Sequence, residues 1–158
     1  MLKYLEHDIT FREVPDEITL CINITGCPCH CPDCHSKQLW EDVGTELNLH
    51  SLHELIDTCK DGISCIAFMG GDQSPKDINY LALLTRLNFP NIRIAWYSGK
   101  TTIPKEIDIS RFDYIKLGPY VKELGPLDSP TTNQKFYRVF NGELRDITAS
   151  FWKNKHNV

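Results

Sequence analysis

No apolar run in these 158 residues approaches the roughly 18–20 that a bilayer-crossing helix needs, so no membrane partner is expected. There is no block of like charge either. Lys and Arg total 17 against 21 Asp and Glu, for a net charge of −4. Without a basic stretch the chain lacks the electrostatic footprint of a nucleic-acid binder. Internal repeats, low-complexity tracts and linkers are also missing, which predicts one domain over 1–158, long enough to bury a core of its own. The segment from Met1 to Asp8 carries polar residues where a secretory signal has its apolar middle. A cytoplasmic location is the expectation.

What the chain has in excess is cysteine. Seven is a high and odd count; in a chain expected to be cytoplasmic it argues against a disulfide framework. Four of them, Cys27, Cys29, Cys31 and Cys34, crowd into one short segment. Cys21, Cys59 and Cys65 lie scattered in apolar or helical patterns and read as small core residues.

Around that segment the pattern alternates strand and helix. Ile18, Leu20, Ile22 and Ile24 alternate with Thr19, Cys21, Asn23 and Thr25, a strand by its period of two. Ser51 and Glu54 have the form of a capping box opening a helix through Leu52, Leu55, Ile56 and Cys59. Ile63 to Met69 reads as a second strand, turned by Gly70-Gly71. Ser74 and Pro75 then start a helix whose buried stripe is Ile78, Leu81, Leu84 and Leu87. Ile92 to Tyr97 and Tyr114 to Leu117 are further strands. Phe136 to Phe140 and Glu143 to Ile147, joined by Asn141-Gly142, make a hairpin. The alternation predicts βαβ units in an α/β fold with a mostly parallel sheet. A full eightfold barrel takes about 250 residues, so only a partial, open (β/α)6-type barrel with a C-terminal β-hairpin is expected. Ligands of parallel sheets collect at the carboxyl ends of strands. The cysteine segment, Gly70-Gly71 and Ser98-Gly99 each follow a strand and are expected on one rim.

The cysteine segment reads Gly26-Cys27-Pro28-Cys29-His30-Cys31-Pro32-Asp33-Cys34-His35, and Cys27, Cys31 and Cys34 are spaced C-x3-C-x2-C. On a helix these three would share a face, but Pro32 forbids that helix. Cys27 and Cys31 both precede proline and are pushed toward extended backbone. A loop of this kind wraps its thiolates around a common centre. Three ligands on a four-iron cluster leave one iron open, the mark of a reactive rather than a structural metal site. Zinc competes, recruiting His30, His35 or a remote cysteine. Cys31-Pro32-Asp33-Cys34-His35 also spells a haem-attachment motif, which needs an exported chain. Cys29 falls outside the triad and is read as a bystander; as a fourth ligand it would close the cluster.

Taken with Ile24-Thr25-Gly26 before it and Ser36-Lys37-Gln38-Leu39-Trp40 after it, this loop resembles the radical S-adenosylmethionine superfamily. More narrowly, the stretch from about Glu17 to Tyr137 is similar to activating proteins of the anaerobic (class III) ribonucleotide reductase. The resemblance implies a [4Fe–4S] cluster on Cys27, Cys31 and Cys34, and S-adenosylmethionine as cosubstrate. Met69-Gly70-Gly71-Asp72 matches the superfamily's Gly-Gly-acidic motif, which implies that Gly70, Gly71 and Asp72 hold the methionine end. Trp96-Tyr97-Ser98-Gly99 resembles the next strand end, bringing Tyr97 and Ser98 to the cofactor. Thr131-Thr132-Asn133-Gln134 resembles a late motif in which Asn133 or Gln134 contacts the nucleoside or organises the rim. Two departures stand out: Asp33 where an aromatic residue is frequent, and Gln73 where proline often follows the acidic residue. The implied reaction cleaves S-adenosylmethionine reductively, and the 5′-deoxyadenosyl radical generates a glycyl radical on the large reductase subunit. The implied electron donor is a flavodoxin or ferredoxin. Alternatives are the activase of another glycyl-radical enzyme, of the pyruvate formate-lyase type, and a non-catalytic zinc-binding module. Residues 141–158 lie beyond the matched motifs, and Phe151 and Trp152 there read as a packed helix or a docking edge.

Overall fold

A computed structural model describes residues 1–31, 37–59 and 61–153. Cys34 therefore lies outside the described residues, as do Pro32, Asp33, His35 and Ser36. The strands form one eight-stranded sheet. Its four central strands, β2 (Thr19–Ile24), β4 (Cys65–Met69), β5 (Arg93–Tyr97) and β6 (Tyr114–Leu117), are mutually parallel. β1 (Lys3–Thr10) pairs antiparallel with β2, and the two-residue β3 (Thr45–Glu46) pairs antiparallel with β1 at the sheet edge. β7 (Lys135–Phe140) pairs antiparallel with β6, and β8 (Glu143–Asp146) pairs antiparallel with β7 at the other edge. The sheet is thus mixed rather than mostly parallel. Both flanks reverse the strand direction, and β1 and β3 have no counterpart in the sequence reading. At the hairpin Asn141 and Gly142 take φ of 51° and 76°, the pair of positive values that a two-residue type I′ turn requires.

Two helices of more than one turn occur among the described residues, α1 (Leu49–Asp57) and α2 (Pro75–Asn88). The cap of α1 is Asn48, three residues before the expected Ser51. Asn48 Oδ1 accepts from the Ser51 N–H, and the Ser51 hydroxyl accepts from the Asn48 N–H. Ser51 is thus the reciprocating member of the box, not its opening residue. In α2 the buried residues are Ile78, Leu81, Ala82 and Thr85, and Leu87 is 69% exposed. The stripe ends one turn earlier than the apolar pattern suggested.

Both faces of the central strands are covered, so β2 buries Thr19 and Cys21 as well as Leu20, Ile22 and Ile24. On one face Leu20, Ile22, Phe68, Ile94, Trp96 and Ile115 pack with α1 and α2 residues such as Leu52, Ile56 and Ile78. On the other, side chains fall into rows set by the parallel register. Cys21, Ala67, Ala95 and Tyr114 form the middle row; Asn23, Met69, Tyr97 and Lys116 form the row nearest the carboxyl ends. This face is lined by small residues and closed by Val14, Leu127 and Phe136. Phe151, in the short α3 (Ser150–Lys153), packs edge-on to Phe136 with ring centroids 5.1 Å apart. Trp152 Nε1 donates to the Leu127 carbonyl. Both C-terminal aromatics therefore pack on their own chain.

At the opposite, amino-terminal end of the sheet, buried Glu17 is a structural hub. Its carboxylate accepts from Arg93 Nη1 at 2.5 Å, Ser64 Oγ at 2.6 Å and Tyr114 OH at 3.1 Å. Its side chain is 3% exposed, against 49% for Arg93. Removing the carboxylate strands the buried Tyr114 hydroxyl, the half-buried Ser64 hydroxyl and the exposed Arg93 guanidinium. Glu17→Ala is expected to cost about 2–3 kcal/mol, below the roughly 3–5 kcal/mol of breaking a fully buried pair, because water reaches Arg93. Urea unfolding monitored by circular dichroism checks this, and a loss below about 0.5 kcal/mol, the scale of an ordinary surface change, would contradict it.

Candidate metal centre

The carboxyl ends of β2, β4 and β5 feed three loops that meet. After β2 the chain enters the cysteine loop, whose first residues are tied to a returning segment. Gly26 N–H donates to the Glu41 carbonyl and Cys27 N–H to the Leu39 carbonyl, both at 2.9 Å. His30, at φ 43°, stacks on Trp40 with centroids 4.6 Å apart and planes 11° from parallel. Lys37 Nζ lies 5.8 Å from the same ring. Gln73 replaces the expected proline and crosses to the loop, its Nε2 donating to the Thr25 carbonyl at 2.6 Å.

After β4, Gly70 and Gly71 take φ of 109° and 88°, values at which a side chain is strained. A Cβ on Gly71 would also lie 2.5 Å from Ile78 Cδ1. These glycines let the chain turn from β4 into α2 with Ile78 packed against the turn. Asp72 follows, 3% exposed. Its Oδ1 accepts from Ser98 Oγ at 2.5 Å; its Oδ2 accepts from Gly99 N–H at 2.9 Å and faces Cys29 Sγ at 3.6 Å. Ser98 itself is fully buried. One carboxylate thus joins the ends of β4 and β5 to the cysteine loop. Any Cβ on Gly99 would lie 2.7 Å from Cys29 Sγ, so that glycine makes room for the cysteine.

Cys27, Cys29 and Cys31 are half-buried free thiols. Burial pushes the Cys29 thiol up to about 12, and the charges of Asp72 and Cys27 add to the rise. Lys116, at the end of β6, has a buried ammonium that donates to the carbonyls of Ser98 at 3.2 Å and Gly118 at 2.8 Å. Burial pulls it down to about 8, while Asp72, Cys31, Cys29 and Cys27 pull it back toward the charged form. Three cysteines of the loop therefore lie within reach of one cation.

A cavity of about 710 Å³ opens on the same rim, lined by Met69, Tyr97, Lys116, Leu127, Gln134 and Phe151 among others. The Tyr97 hydroxyl donates to the Glu13 carbonyl, and burial raises both the Tyr97 phenol and the Glu13 carboxyl. Asn133 donates from Nδ2 to the Pro119 carbonyl at 3.1 Å, and its Oδ1 is buried without a hydrogen bond among the described residues.

Of the nine residues expected at the site, Cys27, Cys31, Gly70, Gly71, Asp72, Tyr97 and Ser98 surround the ends of β2, β4 and β5, and Asn133 lies beyond β6 beside Pro119. Cys34 lies outside the described residues. Among the described residues no group of three or more His, Cys, Asp or Glu is arranged as a metal site. The donors that are described, soft unpaired thiols on one loop, are the chemistry an iron–sulfur cluster takes, so the residues present fit one. Sequence reasoning missed Lys116 and Glu13. The signal for Lys116 was there: a lone lysine between Ile115 and Leu117 in an otherwise apolar strand end.

A family model described as a 4Fe–4S single cluster domain matches residues 18–115, more than half of the chain. No significant match to a curated protein or to a solved structure was found. No helix among the described residues is long and apolar enough to cross a membrane.

The ligand set has a direct check. After anaerobic reconstitution, Cys27→Ala and Cys31→Ala are expected to lose most of their iron, whereas Cys29→Ala keeps wild-type iron and sulfide per chain. Iron loss in Cys29→Ala equal to that in Cys27→Ala would make Cys29 a ligand.

Proposed function

The chain belongs to the 4Fe–4S single cluster domain family, and on that premise we propose that it is a radical S-adenosylmethionine activase. Its target in this reading is a glycine in the large subunit of an anaerobic ribonucleotide reductase. The observation that carries the reading is Asp72, whose carboxylate hydrogen-bonds residues following β5 and the cysteine loop following β2. A metal loop, a Gly-Gly-acidic turn and a third strand end are thereby held against one another at one rim. A purely structural cluster would not need the acidic turn beside it.

Cys27, Cys31 and Cys34 would hold the cluster, which would supply the low-potential electron for reductive cleavage of S-adenosylmethionine to methionine and the 5′-deoxyadenosyl radical that takes hydrogen from the target glycine. The chain's own residues bind and shield. Asp72 offers the anion for a ligand ammonium, and Cys29 holds that place meanwhile, its thiol against Oδ2. An ammonium arriving there displaces a neutral thiol, a cheap exchange compared with breaking an ion pair. The unpartnered Asn133 Oδ1 is an acceptor free for a nucleoside donor. Met69, Tyr97, Leu127 and Phe151 give the neighbouring cavity apolar walls that keep water and stray hydrogen donors from a radical. No titrating acid or base is required by this chemistry. A flavodoxin or ferredoxin would deliver the electron, since clusters of this kind reach about −400 mV or below.

The test is anaerobic. The reduced, reconstituted protein is expected to give a four-iron EPR signal that changes shape with S-adenosylmethionine and to release 5′-deoxyadenosine. Cys31→Ala should lose both. With the reductase subunit added, a glycyl-radical doublet should appear. A cluster signal indifferent to S-adenosylmethionine, with no 5′-deoxyadenosine released, would sink the activase reading; a doublet formed only on another glycyl-radical enzyme would move the target.

A further inference from the structure

Lys116 takes no part in ligating a metal or in the chemistry above, yet it is among the most costly side chains in the fold. It stands in the row nearest the strand ends, paired with Tyr97 across the β5–β6 ladder. Its residue exposure is 9%. Its ammonium donates to two carbonyls, Ser98 and Gly118, and lies 6.0 Å from the Tyr97 ring centroid. Among the described residues none of these contacts carries a formal charge. Burying an ammonium on neutral acceptors alone is unfavourable unless negative charge stands close by.

That charge lies on two sides. Glu13 shares the cavity wall with Lys116, but burial favours its neutral form. On the other side a short hydrogen-bonded path runs to the metal loop. Ser98 accepts from Lys116 with its carbonyl and donates to Asp72 with its hydroxyl, and Asp72 meets Cys29. Asp72 offsets one unit of charge at most. The thiolates of a loaded loop add more, and the field of the ammonium reaches Cys27, Cys29 and Cys31.

We propose that Lys116 is the buried countercharge of the cysteine loop and holds the cluster's reduction potential above the value the loop alone would set. Reduction adds one negative charge at the metal site. A fixed cation in a low-dielectric, water-poor setting stabilises that added charge far more than a surface lysine does. Net charge and solvent exposure are established levers on such potentials. Lys116 is a tuning residue: it touches no iron and no reacting atom. The proposal rests on the four-iron family alone and stands whether or not the partner is S-adenosylmethionine.

The experiment is a potentiometric titration followed by EPR on the reconstituted protein, without S-adenosylmethionine, with iron and sulfide counted per chain. Lys116→Met at wild-type iron content is expected to shift the midpoint to more negative potential, and Lys116→Arg to return it toward wild type. A Lys116→Met midpoint equal to or above wild type overturns the proposal. Lys116→Gln, which keeps a hydrogen-bond donor for the two carbonyls, carries the same comparison if the methionine variant does not fold.

Discussion

A buried carboxylate at the junction of strand ends is the constraint around which the site is arranged. Asp72 belongs to the turn after β4, but its partners come from the loops after β5 and β2. Each of those loops is fixed elsewhere: Ser98 N–H by the Lys116 carbonyl, and the start of the cysteine loop by Gln73 and by the segment through Leu39 and Glu41. With Asp72 in place, three strand ends hold one relative position. Without it, the buried Ser98 hydroxyl and the half-buried Gly99 N–H would lose their acceptor, at a cost of the order of 1–3 kcal/mol for the buried hydroxyl.

The sheet's two faces do different work because their side chains differ in size. On the helix side, Leu20, Ile22, Phe68, Ile94 and Trp96 fill the space to α1 and α2. On the other side the middle row is Cys21, Ala67 and Ala95, with only Tyr114 large. Val14, Leu127 and Phe136 pack over these small residues. The cavity opens in the next row, against Met69, Tyr97 and Lys116 with Leu127 and Phe151, at the same strand ends that carry the site.

The central strands and the cysteine loop were legible because their signals are local: apolar alternation, glycine at the turns, and thiols at close spacing. β1 was not, since Glu6, His7 and Asp8 follow one another along it and its exposure shows no alternation; its conformation comes from pairing with β2. The cap of α1 was misplaced because Asn48-x-x-Ser51 and Ser51-x-x-Glu54 are both competent capping patterns, and Leu49, the first helical residue, is too exposed to mark the boundary. Within the site, the cysteines, the glycine turn and Ser98 could be named from motif and position. That Asp72 meets Cys29, and that Lys116 connects to the loop through Ser98 and Asp72, could not. Both depend on which strands are neighbours, a long-range fact that no window of sequence contains.

Trp40 has a consequence for how metal is acquired. It stacks on His30 and lies under Lys37, so the chain is fastened to one indole just before Cys31 and again at Lys37. Cys27, Cys29 and Cys31 all lie on the stretch that Gly26, Cys27 and His30 tie to the segment through Leu39, Trp40 and Glu41. Folding of the protein therefore meets part of the ordering cost that would otherwise fall on ligand assembly. In the language of coordination chemistry, that described stretch is the preorganised arm of a chelator. Its affinity gains from a scaffold that exists before the first iron arrives, and a protein stripped of metal would keep that frame for refilling.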